Sequence, residues 1–284
     1  MSSMPEGACD CHVHVIGARG SYPMLPDRPY TPAPASMQAL REHMKTIGVD
    51  RAVIVQPSIY GTDNRCLLDC LQAMPSVFRG VAVLGQETDD ETLTRLAASG
   101  VTGLRINLES TGADDLTQAI ATVRYWMNRL SGSGWHIQLY AGFDLLNRAL
   151  EQLEKPALPL VIDHFGLVPP ATTMDSLLSS PLFQGLENGD LYIKLSGSYR
   201  VGSPAEADQI AVIAQALLAA NEERIVWASD WPHTNREPGK LPIEVSRYRD
   251  VPVQSLLSER ASWLQDPALQ RKVLVDNPAG LYGF

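Results

Sequence analysis

The stretch Ala-Cys-Asp-Cys-His-Val-His-Val-Ile at residues 8–16 decides how the rest of the chain is interpreted. It is short, rich in β-branched residues and alternating, which predicts a β-strand. Because successive side chains of a strand point to opposite faces, we expect Asp10, His12 and His14 on one face. The two imidazoles then lie roughly 7 Å apart, from about 3.3 Å of rise per residue. That is close enough to bind one metal ion or one substrate group. The alternative is a pair of core histidines with local hydrogen bonds.

The pattern of the first strand recurs along the chain. Strands are predicted to start near residues 9, 51, 78, 102, 135, 159, 191 and 225. Helices are predicted between and after them, over 37–47, 63–74, 89–99, 115–130, 143–153, near 173–187, and over 205–219, 252–263 and 266–276. Eight alternating units with short connections predict one α/β domain over residues 1–284, a single (β/α)8 TIM barrel. The alternative is an open doubly wound sheet, which would usually carry a Gly-rich phosphate-binding turn, and the sequence has none.

Composition narrows the class of protein. The chain has 284 residues, which is enough for such a barrel, and its net charge is 23 − 32 = −9. No basic cluster stands out, so no nucleic-acid partner is expected. No apolar run reaches the roughly 18 residues of a membrane helix, and the start resembles no signal peptide, so we expect a cytoplasmic protein with no membrane partner. The four cysteines lack a Cys-x-x-Cys pair and are predicted to be reduced.

Polar residues end one predicted strand after another. In a (β/α)8 barrel the chemistry lies at the carboxyl ends of the strands, so these residues are the candidates for a site. They are His12, His14, Ser58, Arg105, Asn107, Tyr140, Asp163, His164, the segment 196–200, Asp230 and His233. By contrast, His136 within a strand and His43 within a helix are predicted to be structural. Ser196 and Ser198 lack a Gly-x-Ser-x-Gly turn, which argues against a serine nucleophile.

Several of these residues occur in motifs that resemble the amidohydrolase superfamily. The general motifs are His12-x-His14, the later strand-end His164, Ser-Asp230-Trp-Pro-His233 and the closing Asp-Asn-Pro-Ala-Gly-Leu-Tyr-Gly at 276–283. Three further segments resemble the 2-pyrone-4,6-dicarboxylate lactonases and their sugar-lactone relatives. They are Asp-Arg-Pro-Tyr-Thr-Pro at 27–32, Gln-Pro-Ser-x-Tyr-Gly-x-Asp-Asn at 56–64 and Gly-x-Arg-x-Asn at 103–107. The resemblance covers essentially the whole chain.

The resemblance implies a hydrolase that opens a carboxylated lactone, a small-molecule partner, in the breakdown of aromatic compounds. Asp230 is expected to be the general base, with its pKa raised toward neutral by burial. The imidazoles of His12, His14 and His164 are expected to polarise the ring carbonyl and stabilise the oxyanion. Binding of the substrate is assigned to Tyr30, Ser58, Arg105, Tyr140, Arg200 and His233. Arginine suits bidentate binding of a carboxylate. The protein is expected to be a monomer or a small homo-oligomer.

The sequence departs from the superfamily at its metal ligands. Two-metal amidohydrolases carry a bridging lysine or glutamate and two later histidines, whereas here only His164 follows at a strand end. The lactonases that the chain resembles work without a required metal, so no cofactor is predicted to be required. One zinc ion bound by His12, His14, His164 and Asp230 is the alternative. Those lactonases also have an arginine shortly after the strand-six histidine, where this chain has Leu167, which puts an identical substrate in doubt.

Three alternatives to a lactone hydrolase stay open at this point. One is a metal-dependent decarboxylase or hydrolase of the same superfamily, which metal content and a chelator would reveal. Another is a sugar-acid lactone isomerase or lactonase that uses the same base. The last, from a different class, is a non-catalytic binding protein built on the barrel. The intact His-x-His motif and Asp230 argue against that last alternative.

Overall fold

A computed structural model describes residues 4–108 and 116–284 and has eight parallel strands in one sheet. The strands start within one residue of the predicted positions, because each is a short apolar run with clear turn signals at its ends. In chain order, β1 to β8 are Cys9–Val13, Arg51–Val55, Phe78–Ala82, Val101–Asn107, His136–Tyr140, Leu160–Ile162, Leu191–Ser196 and Ile225–Ala228.

The sheet closes on itself between its first and last strands. Each strand pairs in parallel with the next along the chain from β1 to β8. The backbone N–H of Asp230 then donates to the carbonyl of His12 (3.1 Å), and that of His14 donates to the carbonyl of Trp231 (2.8 Å). The prediction of a (β/α)8 barrel is therefore confirmed. The same two bonds place the residues that follow β8 beside the end of β1.

Helices cover the outside of the barrel and also follow its last strand. The first of them begins and ends as predicted, because the Ser36 side chain accepts from the N–H of Ala39 and Gly48 takes the left-handed conformation at its end (φ 79°). In chain order, α1 to α12 are Met37–Ile47, Arg65–Ala73, Asp90–Ala98, Leu116–Arg129, Phe143–Leu150, Met174–Leu178, Pro181–Glu187, Ser198–Val201, Ala207–Ala220, Val253–Trp263, Pro267–Arg271 and Asn277–Tyr282.

Some predicted boundaries are wrong. The helix predicted near 173–187 is two helices, because the Ser180 side chain caps a second helix that starts with a proline. The helix predicted over 266–276 ends at Arg271 and continues as a π-turn over Lys272–Asp276. Strand β6 ends at Ile162, before the predicted Asp-His pair. The predicted start of α4 at residue 115 lies outside the described residues.

Two loops at the mouth of the barrel are joined by a small strand pair that the sequence did not predict. Thr31–Pro32, in the long connection after β1, pairs in parallel with Val245–Ser246, in the connection after β8. The Thr31 side chain also donates to the carbonyl of Pro242 (2.6 Å). These bonds hold the two loops against each other above the ends of the strands.

The closing segment of the chain is structural. Tyr282 of α12 is fully buried in an apolar cluster with Cys9 and Cys11 of β1 and with valines of β2, β3, β6 and β8. The four cysteines are free and buried, as predicted for reduced thiols. Among the described residues, no helix is long and apolar enough to cross a membrane.

The first strand departs from regular alternation, which corrects one expectation. Its pairing with β2 has an irregularity between Asp10 and Val13. Asp10 therefore does not join His12 and His14. Its carboxylate accepts from the N–H of Ser229 (2.9 Å) and lies 4.0 Å from His43 of α1.

Candidate active site

His12 lies near the end of β1. Its ring contacts the carboxylate of Asp163, the residue that follows β6. Its Nδ1 is 3.2 Å from Oδ1 of Asp163, and its Nε2 is 3.9 Å from Oδ1 of Asp230. Burial lowers the pKa of His12 well below its ordinary value, although the Asp163 carboxylate acts in the opposite direction. The imidazole is therefore neutral at pH 7. Its Nδ1 faces the Asp163 carboxylate, which accepts, and also Nζ of Lys194 at 3.4 Å, which donates. With the hydrogen on Nδ1 and donated to the nearer Asp163, Nε2 is an acceptor.

His14 has a defined tautomer. Its Nδ1 is 2.7 Å from the carbonyl oxygen of Val55, which can only accept, so the hydrogen is on Nδ1. Burial, together with the positive charge of Arg105, lowers the pKa of His14 to about 4, so the ring is neutral. Its Nε2 therefore carries a lone pair, and it lies 3.9 Å from Oδ1 of Asp230. This corrects the expectation that His14 donates to the oxyanion.

The two oxygens of Asp230 have different surroundings. Oδ2 accepts from the Tyr199 hydroxyl (2.6 Å) and from Nε of Arg200 (2.5 Å). Within residues 4–108 and 116–284, Oδ1 has no hydrogen-bond partner. Burial alone would raise the pKa of Asp230, but the Arg200 guanidinium and the nearby imidazoles, that of His164 foremost, hold it well below its usual range. The expectation of a pKa near neutral is wrong, because the carboxylate is paired with a buried cation.

Three acceptor atoms therefore converge. The ligand atoms of His12, His14 and Asp230 lie within 4.8 Å of one another, and all three residues are buried. A set of two neutral imidazole nitrogens and a carboxylate oxygen, with no donor between them, is suited to a cation. His164 is not part of this set. It groups instead with His12 and Asp163.

His164 sits on an unusual piece of backbone after β6. Residues 164–167 all have positive φ (50°, 57°, 64° and 49°), and only the third of them is glycine. This left-handed turn directs the His164 ring toward Ser196, whose Oγ lies 2.9 Å from Nδ1. If the hydroxyl donates, the hydrogen of the neutral ring is on Nε2, and His164 is then the histidine able to donate to a substrate. Burial lowers its pKa to about 4.

A buried polar network that the sequence analysis missed supports these residues. Lys194 of β7 is fully buried, and its Nζ donates to the side-chain carbonyl of Gln138 (2.7 Å) and lies 3.4 Å from Oδ1 of Asp163. Gln138 in turn donates to Oδ2 of Asp163 (2.9 Å). Burial works against the charge of Asp163, but His12 and Lys194 hold its pKa well below the usual range. A lone lysine in the apolar strand Leu-Tyr-Ile-Lys-Leu-Ser was the available signal.

The strand ends open into a cavity of about 250 Å³. The predicted residues that line it are His14, Tyr30, Ser58, Arg105, Tyr140, His164 and Arg200. The other lining residues are Pro29, Pro57, Asn107, Thr234, Asn235, Arg236 and Arg249. Its lining includes four arginines, and no aspartate or glutamate of the described residues. Such a lining favours an anionic ligand.

Two predicted binding residues have partners in the protein. Nε of Arg105 is 3.9 Å from Oδ2 of Asp163, and the guanidinium lies 5.7 Å from the centre of the Tyr140 ring. His233 does not line the cavity. Its Nδ1 is 3.3 Å from the Tyr199 hydroxyl, so it lies behind the residue that binds Asp230. Sequence reasoning placed His233 in the site because it follows Asp230 closely, but the intervening turn directs it away.

Comparison with known proteins shows the family of the chain. The family model described as amidohydrolase matches residues 9–284. A 4-sulfomuconolactone hydrolase of Rhizobium radiobacter is 30% identical over 99% of this chain and 91% of its own. A 2-pyrone-4,6-dicarboxylate hydrolase of Comamonas testosteroni is 28% identical over 98% and 91%. Among solved structures, a probable 2-pyrone-4,6-dicarboxylic acid hydrolase of Acinetobacter baumannii with citric acid bound gives a TM-score of 0.83 at 26% identity, covering 98% of this chain and 100% of that one.

Proposed function

Since the chain belongs to the amidohydrolase family, we propose that it hydrolyses a lactone that carries an acidic substituent. The observation that carries this proposal is the buried, ionised Oδ1 of Asp230, which has no partner among the described residues and lies beside a cavity lined by guanidinium groups. The relatives of known name act on lactones with acidic groups, which supports the same substrate class.

In the proposed reaction Asp230 is the general base. Oδ1 accepts a proton from a water molecule, and the water oxygen attacks the carbonyl carbon of the lactone. The tetrahedral intermediate then collapses with cleavage of the bond between the carbonyl carbon and the ring oxygen, and the ring oxygen leaves and takes up the proton from Oδ1, which restores the carboxylate. Tyr199 and Arg200 bind Oδ2, so they keep the carboxylate oriented with Oδ1 available. Because Arg200 lowers its pKa, Asp230 is a weak base that stays ionised at acidic pH.

The remaining groups bind the substrate and stabilise the charge that develops. We assign stabilisation of the oxyanion to His164, whose ring can present a hydrogen on Nε2. We no longer assign it to His12 or His14, whose Nε2 atoms are acceptors. Arg105 binds the acidic substituent, with Tyr30, Ser58 and Tyr140 as further donors around the cavity. Each well-placed donor to the oxyanion is worth roughly 3 kcal/mol in the transition state.

A metal ion fits three of the residues. Nε2 of His12, Nε2 of His14 and Oδ1 of Asp230 have the donor chemistry of a three-ligand zinc site. A bound zinc ion would polarise the lactone carbonyl and lower the pKa of a bound water. We keep the prediction that no metal is required, because Arg200 already balances the charge of Asp230 and leaves its Oδ1 available as the base.

The test is a panel of lactones with and without acidic groups, assayed by proton release. We expect acidic lactones to be opened, and Asp230→Asn to lower kcat by about 10²- to 10⁴-fold, the usual contribution of a general base. Product analysis separates an opened hydroxy or keto acid from an isomerised lactone or a decarboxylated product. Near-normal kcat in Asp230→Asn would remove the proposed base, and hydrolysis of no lactone would remove the function.

A further inference from the structure

The buried network around Asp163 consists of groups whose hydrogen-bonding roles are set by their chemistry. Lys194 is fully buried, and as an ammonium it can only donate, whereas the Asp163 carboxylate can only accept. Gln138 lies between them, with its side-chain oxygen 2.7 Å from Nζ of Lys194 and its amide nitrogen 2.9 Å from Oδ2 of Asp163. The Gln138 amide therefore has one allowed orientation, because turning it over would place donor against donor at one end and acceptor against acceptor at the other.

His12 contacts the other oxygen of the same carboxylate. Its Nδ1 lies 3.2 Å from Oδ1 of Asp163 and 3.4 Å from Nζ of Lys194. If Nδ1 accepted from Lys194, its lone pair would face the carboxylate oxygen with no hydrogen between them. With the hydrogen on Nδ1, His12 donates to Asp163, and the ammonium still has acceptors in Gln138 and in Oδ1 of Asp163 at 3.4 Å. Donors and acceptors then follow one another without conflict from Lys194 to His12.

The far side of the His12 ring faces the proposed base. Its Nε2 is 3.9 Å from Oδ1 of Asp230, and within residues 4–108 and 116–284 neither atom has a hydrogen-bond partner. While both atoms are acceptors, a water molecule between them can donate one hydrogen to each and keep its lone pairs for attack. A hydrogen on Nε2 would instead point toward Oδ1 and occupy the oxygen on which the proposed reaction depends.

We propose that Gln138 and Lys194 are positioning residues for the reaction. They act through Asp163 and fix which nitrogen of His12 carries the hydrogen, which keeps Nε2 available as an acceptor. What the network requires is one carboxylate and one amide, in an order that the ammonium of Lys194 determines. The part of this inference that concerns kcat rests on the proposed function, whereas the position of the hydrogen on His12 does not.

Asp163→Asn tests this order with almost no change of shape. Gln138 donates toward the Oδ2 position, and Nε of Arg105, also a donor, lies 3.9 Å from it, so the new amide should place its oxygen there. Its NH2 group then faces His12, whose Nδ1 must accept, and the hydrogen moves to Nε2. We expect kcat to fall by about 10²-fold or more and KM to change by less than about threefold, because the residue acts on the base side of the site and not on the substrate.

Asp163→Asn combined with Gln138→Glu exchanges the carboxylate and the amide. Lys194 then binds the new carboxylate, the new amide donates to that carboxylate, and the amide oxygen accepts from Nδ1 of His12. Net charge and shape are retained, so kcat should return to within about tenfold of that of the unaltered protein. This double variant also decides the matter if Asp163→Asn, which leaves Lys194 buried without a carboxylate, does not fold.

The matched control is Asp190→Asn. It makes the same replacement at a carboxylate that pairs at 2.9 Å with Lys155, whose side chain is 77% exposed. The control should leave kcat and the His12 tautomer as they are in the unaltered protein.

Proton–nitrogen correlation spectra of the imidazole rings measure the tautomer directly and need no turnover. The chain has six histidines, and the signals lost in His12→Gln assign those of His12. We expect the hydrogen on Nδ1 in the unaltered protein, on Nε2 in Asp163→Asn, and on Nδ1 again in the double variant.

Three results would overturn the inference. They are a hydrogen that stays on Nδ1 in Asp163→Asn, an exchanged tautomer with unchanged kcat, and a folded double variant that is as inactive as Asp163→Asn or that keeps the hydrogen on Nε2. If no lactone is opened, the spectra still decide where the hydrogen lies. Failure of the proposed function and failure of this inference are therefore distinguishable.

Discussion

The pairing of Arg200 with Asp230 predicts the pH dependence of the reaction. The 2.5 Å contact is largely buried, since the Arg200 side chain is 17% exposed and Asp230 is not exposed at all. The pKa of Asp230 is held below its usual value, so the basic form is present above that pKa and is lost as the pH falls through it. The acidic limb of kcat/KM is therefore expected well below neutral pH.

Arg200→Gln should move that limb upward. Two unit charges about 4 Å apart in surroundings with an effective dielectric constant of about 20 interact by roughly 4 kcal/mol. One pH unit corresponds to about 1.4 kcal/mol, so the upper bound is roughly 3 pH units. Partial exposure of Arg200 reduces this, and we expect the limb to rise by about 1 to 3 pH units.

The assay is kcat/KM for an acidic lactone between about pH 4 and about pH 9. The unaltered protein should show no acidic limb from Asp230 in this range, because the pKa of Asp230 lies below it, whereas the raised limb of Arg200→Gln should enter it. Tyr199→Phe is the matched control, because it removes a hydrogen bond to the same oxygen without removing a charge. It should move the limb less than Arg200→Gln does. An acidic limb that stays in place in Arg200→Gln would refute the electrostatic account, whatever happens to the absolute rate.

Three further predictions concern binding, metal and stability. Arg105→Met should raise KM for acidic lactones more than it lowers kcat, and should leave kcat and KM for an uncharged lactone nearly unchanged. Steady-state kinetics measure both constants. Activity should survive treatment with a chelator, and the metal content of the protein is measured before and after. The prediction is contradicted if stoichiometric zinc is present and is lost and restored together with activity. Lys194→Met should lower the free energy of unfolding by up to about 3–5 kcal/mol, because it removes the nearer of the two cations beside the buried Asp163, Lys194 at 3.4 Å and Arg105 at 3.9 Å. Urea denaturation measures this, and Lys155→Met, which removes a lysine with a 77% exposed side chain, is the control.

The fold was predictable because its signals are local. Each strand is a short apolar run, and turn residues mark where it starts and ends. The helix over 173–187 was predicted as one unit because its apolar pattern continues across Ser180, and only the cap reveals the break. The small strand pair at the mouth joins residues about 210 positions apart, which no local pattern indicates.

The site was predictable where it lies on strand ends and less so elsewhere. His12, His14, Arg105 and Tyr140 follow from the position of the strands in the barrel. The alternation rule failed at Asp10, because an irregular pairing intervenes. The low pKa of Asp230 depends on Arg200, thirty residues away, and could not be inferred from the neighbours of Asp230 in the sequence. Arg236 and Arg249 of the cavity lining were missed because they lie in a long connection without a periodic pattern.

The left-handed turn at residues 164–167 determines which side chains can replace Leu167 beside the site. The His164 ring is positioned by the left-handed backbone and by its contact with Ser196, and the side chain at position 167 takes no part in that contact. That position excludes β-branched residues and proline, which do not tolerate positive φ, but it places no condition on charge. A longer or charged side chain can therefore replace Leu167 without moving the imidazole. Within this single turn, the backbone sets the position of the imidazole, and the side chain three residues later can be chosen independently of it.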